Sequence, residues 1–429
     1  MRQFSTIFLS SVYKIIFTLF ALVAAIVFVI AATYNSFVSM NAAEQPIISL
    51  NPVYMFIFFI IIIGILCRIQ PLLKNINPNH LFLVLSIILT LAGLYLAIFA
   101  DDFLRGANPS SLRRSDPGAC VTIARHLNSH NYLDFQTSGY LHMYPYQIYW
   151  ITLLRVLLKI NNRVRFLYIV LLFSAILAYF VIFKISQLIL KNSALVNTSL
   201  ILYFIFLPNI FNILFVYANL PAFVLFLFGI LCYLLGLKKK SLLIYVSAGL
   251  IVFSYLLKNN FLIGLIAFLI TVCLSNIKVQ TKLILLLMSV LMIFGCNFSI
   301  NHYYSSISHV SIVNNKGMPK SAYLLMGLSE NGNKDGWFDG STVRSYMSED
   351  YSTNKTDLKS RQRLKLRLHF LLSNPRYTKH FFSTKLVTTW GDPTYQSLWN
   401  APLTSFKGSR LRTPIMRQIY SKKGNTLLS

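Results

Sequence analysis

The sequence predicts an all-α polytopic membrane protein with about nine transmembrane helices. Of its 429 residues, 55% are hydrophobic and only 12% are charged, and the mean hydropathy is +0.60, whereas soluble domains carry about a quarter charged residues. The apolar residues are gathered in blocks of 15 to 24 residues. A helix needs about 20 such residues to cross about 30 Å of hydrocarbon. These observations exclude a soluble enzyme.

The charge balance is strongly basic, with 39 Lys and Arg against 12 Asp and Glu and a net charge of +27. In a soluble protein this excess would indicate nucleic acid. In a membrane protein it is typical of cytoplasmic anchoring and of contact with anionic headgroups. We therefore expect membrane lipids as partners and no nucleic acid. Four of the five cysteines lie in or at the ends of apolar blocks, so the cysteines are interpreted as packing residues.

The chain order of the apolar blocks defines the predicted spans. The first block is too long for a cleaved signal peptide and is expected to be retained as a span. The nine blocks lie near 15–34, 53–67, 81–100, 166–185, 193–207, 219–237, 241–257, 261–275 and 282–300.

Segment 146–160 decides the topology, because Arg155 and Lys159 interrupt its apolar pattern. If it crossed the membrane, the lysines 238–240 would lie outside and the positive-inside bias would fail. If it lies flat as an amphipathic interfacial helix, every short inside loop is basic. The sequence thus predicts a cytoplasmic N-terminus, nine crossings and an outer C-terminal tail.

This orientation places all twelve acidic residues outside, since none occurs between positions 135 and 329. Carboxylate chemistry must then draw on loop 101–145 or on tail 301–429. An ATP-driven or nucleotide-sugar enzyme is disfavoured, because the cytoplasmic side offers no carboxylate for a base or for a nucleotide-bound metal.

Three regions follow from this pattern. Residues 1–80 form an N-terminal transmembrane hairpin, and residues 81–300 form a transmembrane module with an outer loop over 101–165. Residues 301–429 are soluble in composition and form a small extracytoplasmic region.

The outer loop carries the strongest group of polar residues. The run SDPG begins at Ser115, and apolar residues at helical spacing follow it, then the runs NYLDF and GYLHMYPYQ. One interpretation is structural, with Asp116 as the helix N-cap and Pro117 in the first turn. The other is functional, with the Asp116 carboxylate aimed at a membrane-facing cavity.

A span, an outer loop with an acid just before a short helix, a Tyr-Pro element and an interfacial helix together resemble the first module of the GT-C glycosyltransferases. That superfamily includes the protein O-mannosyltransferases, the lipid A aminoarabinose transferases and the oligosaccharyltransferases. The pattern looks most like Gram-positive membrane proteins of this class. The resemblance covers about residues 81–300, with a further short match at WGDPTYQS over 390–397.

The resemblance implies roles for individual residues. Asp116 matches the loop Asp that acts as catalytic base, and Asp101 and Asp102 are candidate second acids. Lys258, at the outer end of a span, matches the cation that meets the phosphate of a polyprenyl donor; the alternative is a lysine that snorkels to the headgroups. Further candidates are Arg113, Arg114 and Arg125 for the donor phosphate, and Tyr144, Asn259 and Asp392 for the substrate.

A metal site is not indicated. Many GT-C members have a second acid directly after the loop Asp, whereas here Pro117 follows Asp116. His126 and His130 are spaced i,i+4, but no third ligand accompanies them, which favours surface histidines. We expect no required cofactor, although the resemblance leaves a divalent metal open.

The functional hypothesis is a glycosyltransferase that moves a sugar from a polyprenyl-phosphate donor to a cell-envelope glycan or lipid at the outer face of the cytoplasmic membrane. Two alternatives stay open. One is a polysaccharide polymerase or ligase, since such enzymes also carry a large outer loop with Arg and His. The other is a flippase or transporter for lipid-linked oligosaccharides, although transporters usually place ionisable groups within their spans.

Overall fold

The computed structural model describes residues 2–38, 46–100, 116–239, 241–312, 317–330, 335–399 and 413–421. Its first thirteen helices are α1 (Arg2–Thr33), α2 (Val53–Lys74), α3 (Pro78–Phe99), α4 (Asp116–Asn128), α5 (Tyr140–Met143), α6 (Ile148–Ile160), α7 (Val164–Ile189), α8 (Ser193–Ile205), α9 (Pro208–Phe211), α10 (Asn219–Lys239), α11 (Leu243–Leu257), α12 (Leu262–Leu274) and α13 (Val279–Ser308). The C-terminal region adds α14 (Lys320–Gly327), α15 (Ser341–Ser348), α16 (Thr353–Ser373), α17 (Pro375–Trp390) and α18 (Pro414–Ile419).

The protein is all-α in its main architecture and has six or seven helices that could cross a membrane. Within the described residues, α1, α2, α3, α7, α10 and α13 are long and apolar enough. A seventh candidate combines α8 with Pro208–Leu214 across a bend of 55°. Every predicted block is helical, and among the described residues six or seven of the predicted nine spans meet this length criterion. The 15 residues of α11 span only about 22 Å at a rise of about 1.5 Å per residue.

One short sheet was not predicted. Strands β1 (Tyr34–Val38) and β2 (Pro46–Leu50) pair antiparallel between α1 and α2. The Asn51 amide donates to the Thr33 carbonyl at the base of the hairpin, and the Ser36 amide donates to the Gly391 carbonyl. The hairpin thereby joins the end of the first helix to the C-terminal region.

One end of the bundle gathers the helix ends that the lysine pattern assigns to the outer side. The Tyr95 hydroxyl, near the end of α3, lies 2.6 Å from the Thr413 hydroxyl. The ring of Phe206, just after α8, contacts the ring of Tyr395. The β1–β2 hairpin belongs to the same group through its bond to Gly391.

The opposite end holds the connections between α2 and α3 and between α7 and α8. The Ser193 hydroxyl donates to the Lys74 carbonyl, and the Asn197 amide nitrogen donates to the Leu73 carbonyl. Successive helices therefore alternate in direction along the described bundle, including the shorter α11 and α12.

Helix α6 is the segment that decided the predicted topology, and it packs along α4. Its Ile151 and Leu154 side chains are completely buried. Arg155 is also buried, and its burial is tolerated because its guanidinium donates to Asn128 and to the Tyr303 hydroxyl. With 13 residues, α6 is about 20 Å long and too short to cross a bilayer.

Candidate functional site

Asp116 is the first residue of α4, and its carboxylate is the centre of the candidate site. The Tyr140 hydroxyl donates to Oδ1 at 2.9 Å and the Tyr217 hydroxyl donates to Oδ2 at 3.0 Å. No backbone amide of the described residues donates to this carboxylate. Asp116 is nevertheless exposed. The geometry is therefore that of an anchored carboxylate with open access, rather than that of a helix cap.

Tyr217 lies between the short 3-10 helix Asn212–Leu214 and α10, and it is buried. The side-chain amide of the buried Gln147 donates to its hydroxyl oxygen. Burial, and then the nearby Asp116 charge, raise the pKa of Tyr217. The hydroxyl consequently stays protonated and serves as a permanent donor to the carboxylate.

Lys258 reaches the same tyrosine from the break between α11 and the 3-10 helix Asn259–Phe261. Its Nζ lies 4.0 Å from the centre of the Tyr217 ring, which is a cation–π contact. Burial lowers the pKa of Lys258 to about 8, while the Asp116 charge acts in the opposite direction. Among the described residues this ammonium forms no ion pair, so its charge is available to an anion.

Further tyrosines line the site. The Tyr144 ring is 4.8 Å from the Tyr140 ring and 6.1 Å from the Tyr146 ring, measured between centroids. Burial raises the pKa of Tyr146 to about 12, so its hydroxyl is also neutral. Tyr144 therefore belongs to a set of aromatic faces next to Asp116, and its predicted contact with substrate stays a prediction.

The C-terminal region borders these tyrosines. The Met318 amide donates to the Met143 carbonyl at 3.1 Å. Tyr323 of α14 is close enough to Tyr144 and Tyr146 for each to raise its pKa, although burial is the larger cause. The site is thus built from the outer loop, two helix junctions and the C-terminal region.

Some predicted residues lie elsewhere or beyond the description. Arg113, Arg114, Asp101 and Asp102 fall outside the described residues. Arg125 donates to the side chain and the carbonyl of Asn162, so its guanidinium is held by the turn after α6.

Asp392 and Asn259 have different surroundings. Both Asp392 oxygens are used within the turn after α17, where they accept from the Thr394 amide and hydroxyl and from the Gln396 amide. Burial raises the pKa of Asp392. Asn259 is exposed next to Lys258. Of the predicted substrate residues, Tyr144 therefore lies close to Asp116, Asn259 is the chain neighbour of Lys258, and the Asp392 carboxylate is bound within its own turn.

The two histidines of α4 and its C-terminal turn do not share a site. His126 Nδ1 lies 3.0 Å from Asp134 Oδ2, and His130 Nδ1 lies 3.2 Å from the Tyr132 hydroxyl. Within the described ranges, no group of three His, Cys, Asp or Glu side chains could hold a metal ion.

Tyr217 and Gln147 were not predicted as site residues. Gln147 directly follows the Tyr-Pro element, which was noticed, and Tyr217 precedes a predicted span in the run VYANLP. The polar side chains of Tyr217 and Asn219 at the end of a predicted span were the only local indication of a site there. Nothing local in the sequence shows that Tyr217 meets Asp116.

Comparisons with protein-family models, with curated proteins and with solved structures give no match to this chain. The site must therefore be interpreted from its own chemistry. It combines an accessible carboxylate, an ammonium without an ion pair among the described residues, and several aromatic faces. Such an arrangement suits a substrate that carries a hydroxyl, an anionic group and a ring with apolar faces.

Proposed function

We propose that this protein is a GT-C type glycosyltransferase that transfers a sugar from a polyprenyl-phosphate donor to a cell-envelope acceptor outside the cytoplasmic membrane. One observation carries the proposal. Asp116 and Lys258 come from distant parts of the chain and both contact Tyr217, one at its hydroxyl and the other at its ring. A base and a phosphate-binding cation thereby share one site.

Lys258 would hold the donor phosphate. An ammonium in a half-buried position attracts a phosphate more strongly than one in water, because the local dielectric is low. Its position at the junction of two apolar helices suits a donor whose lipid tail remains among the helices and whose phosphate lies at their end.

Asp116 would accept the proton of the acceptor hydroxyl. The acceptor oxygen forms a bond to the anomeric carbon as the bond from that carbon to the phosphate oxygen breaks. The proton passes to Asp116, and the polyprenyl phosphate leaves with its charge paired by Lys258. A single displacement of this kind inverts the anomeric centre. No metal is needed in this scheme, since Lys258 supplies the positive charge.

The proposed location depends on the orientation of the helices. Lysines and arginines at the end that holds Lys74, Lys191 and Lys239 favour a cytoplasmic location of that end. The Asp116 site would then lie at the outer face, where polyprenyl-linked sugars replace nucleotide sugars as donors. With the bent pair of α8 and Pro208–Leu214 counted as the seventh span, the shorter α11 and α12 would complete nine crossings.

A transfer assay tests the proposal. Purified protein in vesicles is given a synthetic polyprenyl-phosphate sugar and a panel of glycan and lipid acceptors. The proposal expects one sugar added per acceptor and release of polyprenyl phosphate. Repeated addition to a growing chain would indicate a polymerase, and movement of intact donor across the bilayer without release of phosphate would indicate a flippase. Either result would overturn the assignment.

A further inference from the structure

Helices α16 and α17 form an exposed basic pair in the C-terminal region. Together they carry nine Lys and Arg residues and one acid, Asp357. The Asp357 carboxylate is already occupied, because it accepts from the Ser321 hydroxyl and from Arg361 Nε. Lys355 and Lys359 pair with Asp350 and Glu349 just before the pair, and the remaining six cations leave it with an excess of positive charge.

The same pair exposes large apolar side chains. Leu358, Leu366 and Leu372 of α16 are 65%, 71% and 82% exposed. The opposite side of the helix, with Thr356 and Ser360, is buried. On α17, the aromatic and aliphatic side chains of Phe382, Leu386 and Trp390 are also exposed.

The position of α17 brings this surface close to the membrane. Gly391, directly after α17, accepts a hydrogen bond from Ser36 of the β1–β2 hairpin. That hairpin begins at the residue after α1, which is a candidate span up to Thr33. The C-terminal end of α17 is therefore at the level where α1 leaves the bilayer.

Several cations of the pair remain free for a partner. Arg367 is held against the rings of Phe370, Tyr377 and Phe381 and has a structural role. By contrast, Lys365 and Lys379 form no ion pair with any residue that the structure describes. Exposed leucines between free basic residues are typical of a helix that lies in a membrane surface. The apolar side chains of such a helix enter the acyl boundary, and its cations stay at the headgroups.

We infer that α16 and α17 dock on the anionic lipid surface of the membrane that α1 crosses. The positive charge of the pair favours anionic headgroups. Because α17 lies next to the end of α1, the nearest lipid surface is that of the membrane that α1 crosses. This docking is independent of the proposed transfer reaction. It would hold the C-terminal region, and with it α14 next to the Asp116 site, in a constant position relative to the bilayer.

Fluorescence quenching in vesicles tests the inference on the full chain. The exposed native Cys67 and Cys273 are replaced by serine, and Leu366→Cys carries an environment-sensitive fluorophore. Brominated phosphatidylglycerol is expected to quench the label more strongly than brominated phosphatidylcholine does. The triple variant Lys365→Gln, Arg376→Gln, Lys379→Gln should reduce lipid contact by about fivefold for each removed charge.

A matched control removes three lysines at the other end of the bundle. Lys238→Gln, Lys239→Gln, Lys278→Gln should leave the quenching unchanged. No quenching by either lipid would overturn the docking. Equal quenching by the two lipids, or quenching insensitive to the first triple variant, would overturn its anionic basis. A label that responds only to an added polyanion would assign the surface to a soluble polymer instead.

Discussion

At the residue scale, Tyr217 organises the site because it makes three different contacts. Its hydroxyl donates to Asp116 and accepts from Gln147, while its ring lies under the Lys258 ammonium. The two functions can be separated by substitution, since a phenylalanine keeps the ring and loses the hydroxyl. Substitutions of Tyr217 can therefore test the hydroxyl contact to Asp116 and the ring contact to Lys258 one at a time.

Tyr217→Phe is expected to lower kcat by about 10- to 100-fold, because one hydrogen bond to the charged Asp116 is lost. The KM for the donor should stay near its original value, since the cation–π contact is kept. Tyr217→Leu should also raise that KM, because the contact to Lys258 is worth about 0.5 to 2 kcal/mol. Steady-state kinetics of both variants give the answer. Equal effects of the two variants on KM would contradict the assigned roles.

Asp116→Asn is expected to reduce turnover by about 10²-fold or more, because asparagine cannot accept the acceptor proton. Asparagine has nearly the same size as aspartate and Asp116 is exposed, so thermal unfolding should change little. Asp134→Asn is a suitable control, since the Asp134 carboxylate pairs with His126 outside the site. Normal turnover of Asp116→Asn would remove Asp116 from the chemistry.

Lys258 is expected to make the proposed donor binding sensitive to pH. Its folded pKa of about 8 lies below the ordinary value of 10.5 because of burial. The ammonium is therefore present below pH 8 and is lost as the pH rises through that value, so donor affinity should fall over the same interval. Lys258→Ala should weaken binding by about 2 to 5 kcal/mol and abolish this pH dependence. Titration of donor binding between neutral and alkaline pH measures both effects.

At the scale of elements, the site depends on the junction between the outer loop and the C-terminal region. Gly317 has a φ of +64°, and a Cβ there would lie 2.4 Å from Pro145 Cδ and 2.7 Å from the Met143 carbonyl oxygen. Both the conformation and the close approach thus require glycine. The same segment carries the Met318 amide that bonds to Met143.

Gly317→Ala is expected to destabilise this junction by about 1 to 3 kcal/mol, because the strain and the overlap add. Thermal unfolding of the purified protein measures the change, and activity should fall with it. Gly295→Ala is the matched control, since a Cβ at Gly295 meets nothing within 4 Å and alanine favours a helix. A similar loss in both variants would contradict the specific role of the junction.

At the scale of the whole molecule, the described helices alternate in direction and place all site elements at one end. The lysine distribution predicts that the other end faces the cytoplasm. The two observations are independent, because the first depends on packing and the second on loop composition. Together they predict which surface positions a reagent outside the cell can reach.

Labelling with an impermeant maleimide in intact cells is expected to modify Ser348→Cys and to spare Lys239→Cys. Both positions are exposed in the structure, so accessibility depends on the side of the membrane alone. The exposed Cys67 and Cys273 are replaced by serine in both variants. Labelling of the second variant in place of the first would invert the topology and move the Asp116 site to the cytoplasm.

The sequence by itself determined the membrane class, the helical state of all nine apolar blocks, and Asp116, Lys258 and Tyr144 as candidates. These features are local, because hydropathy, loop charge and the start of a helix depend on neighbouring residues. Only the tertiary structure decided that six or seven helices are long enough to span, that a hairpin joins α1 to α17, and that Asp116 and Lys258 meet at Tyr217. Those facts depend on packing between segments that are distant in the chain, which local periodicity does not encode.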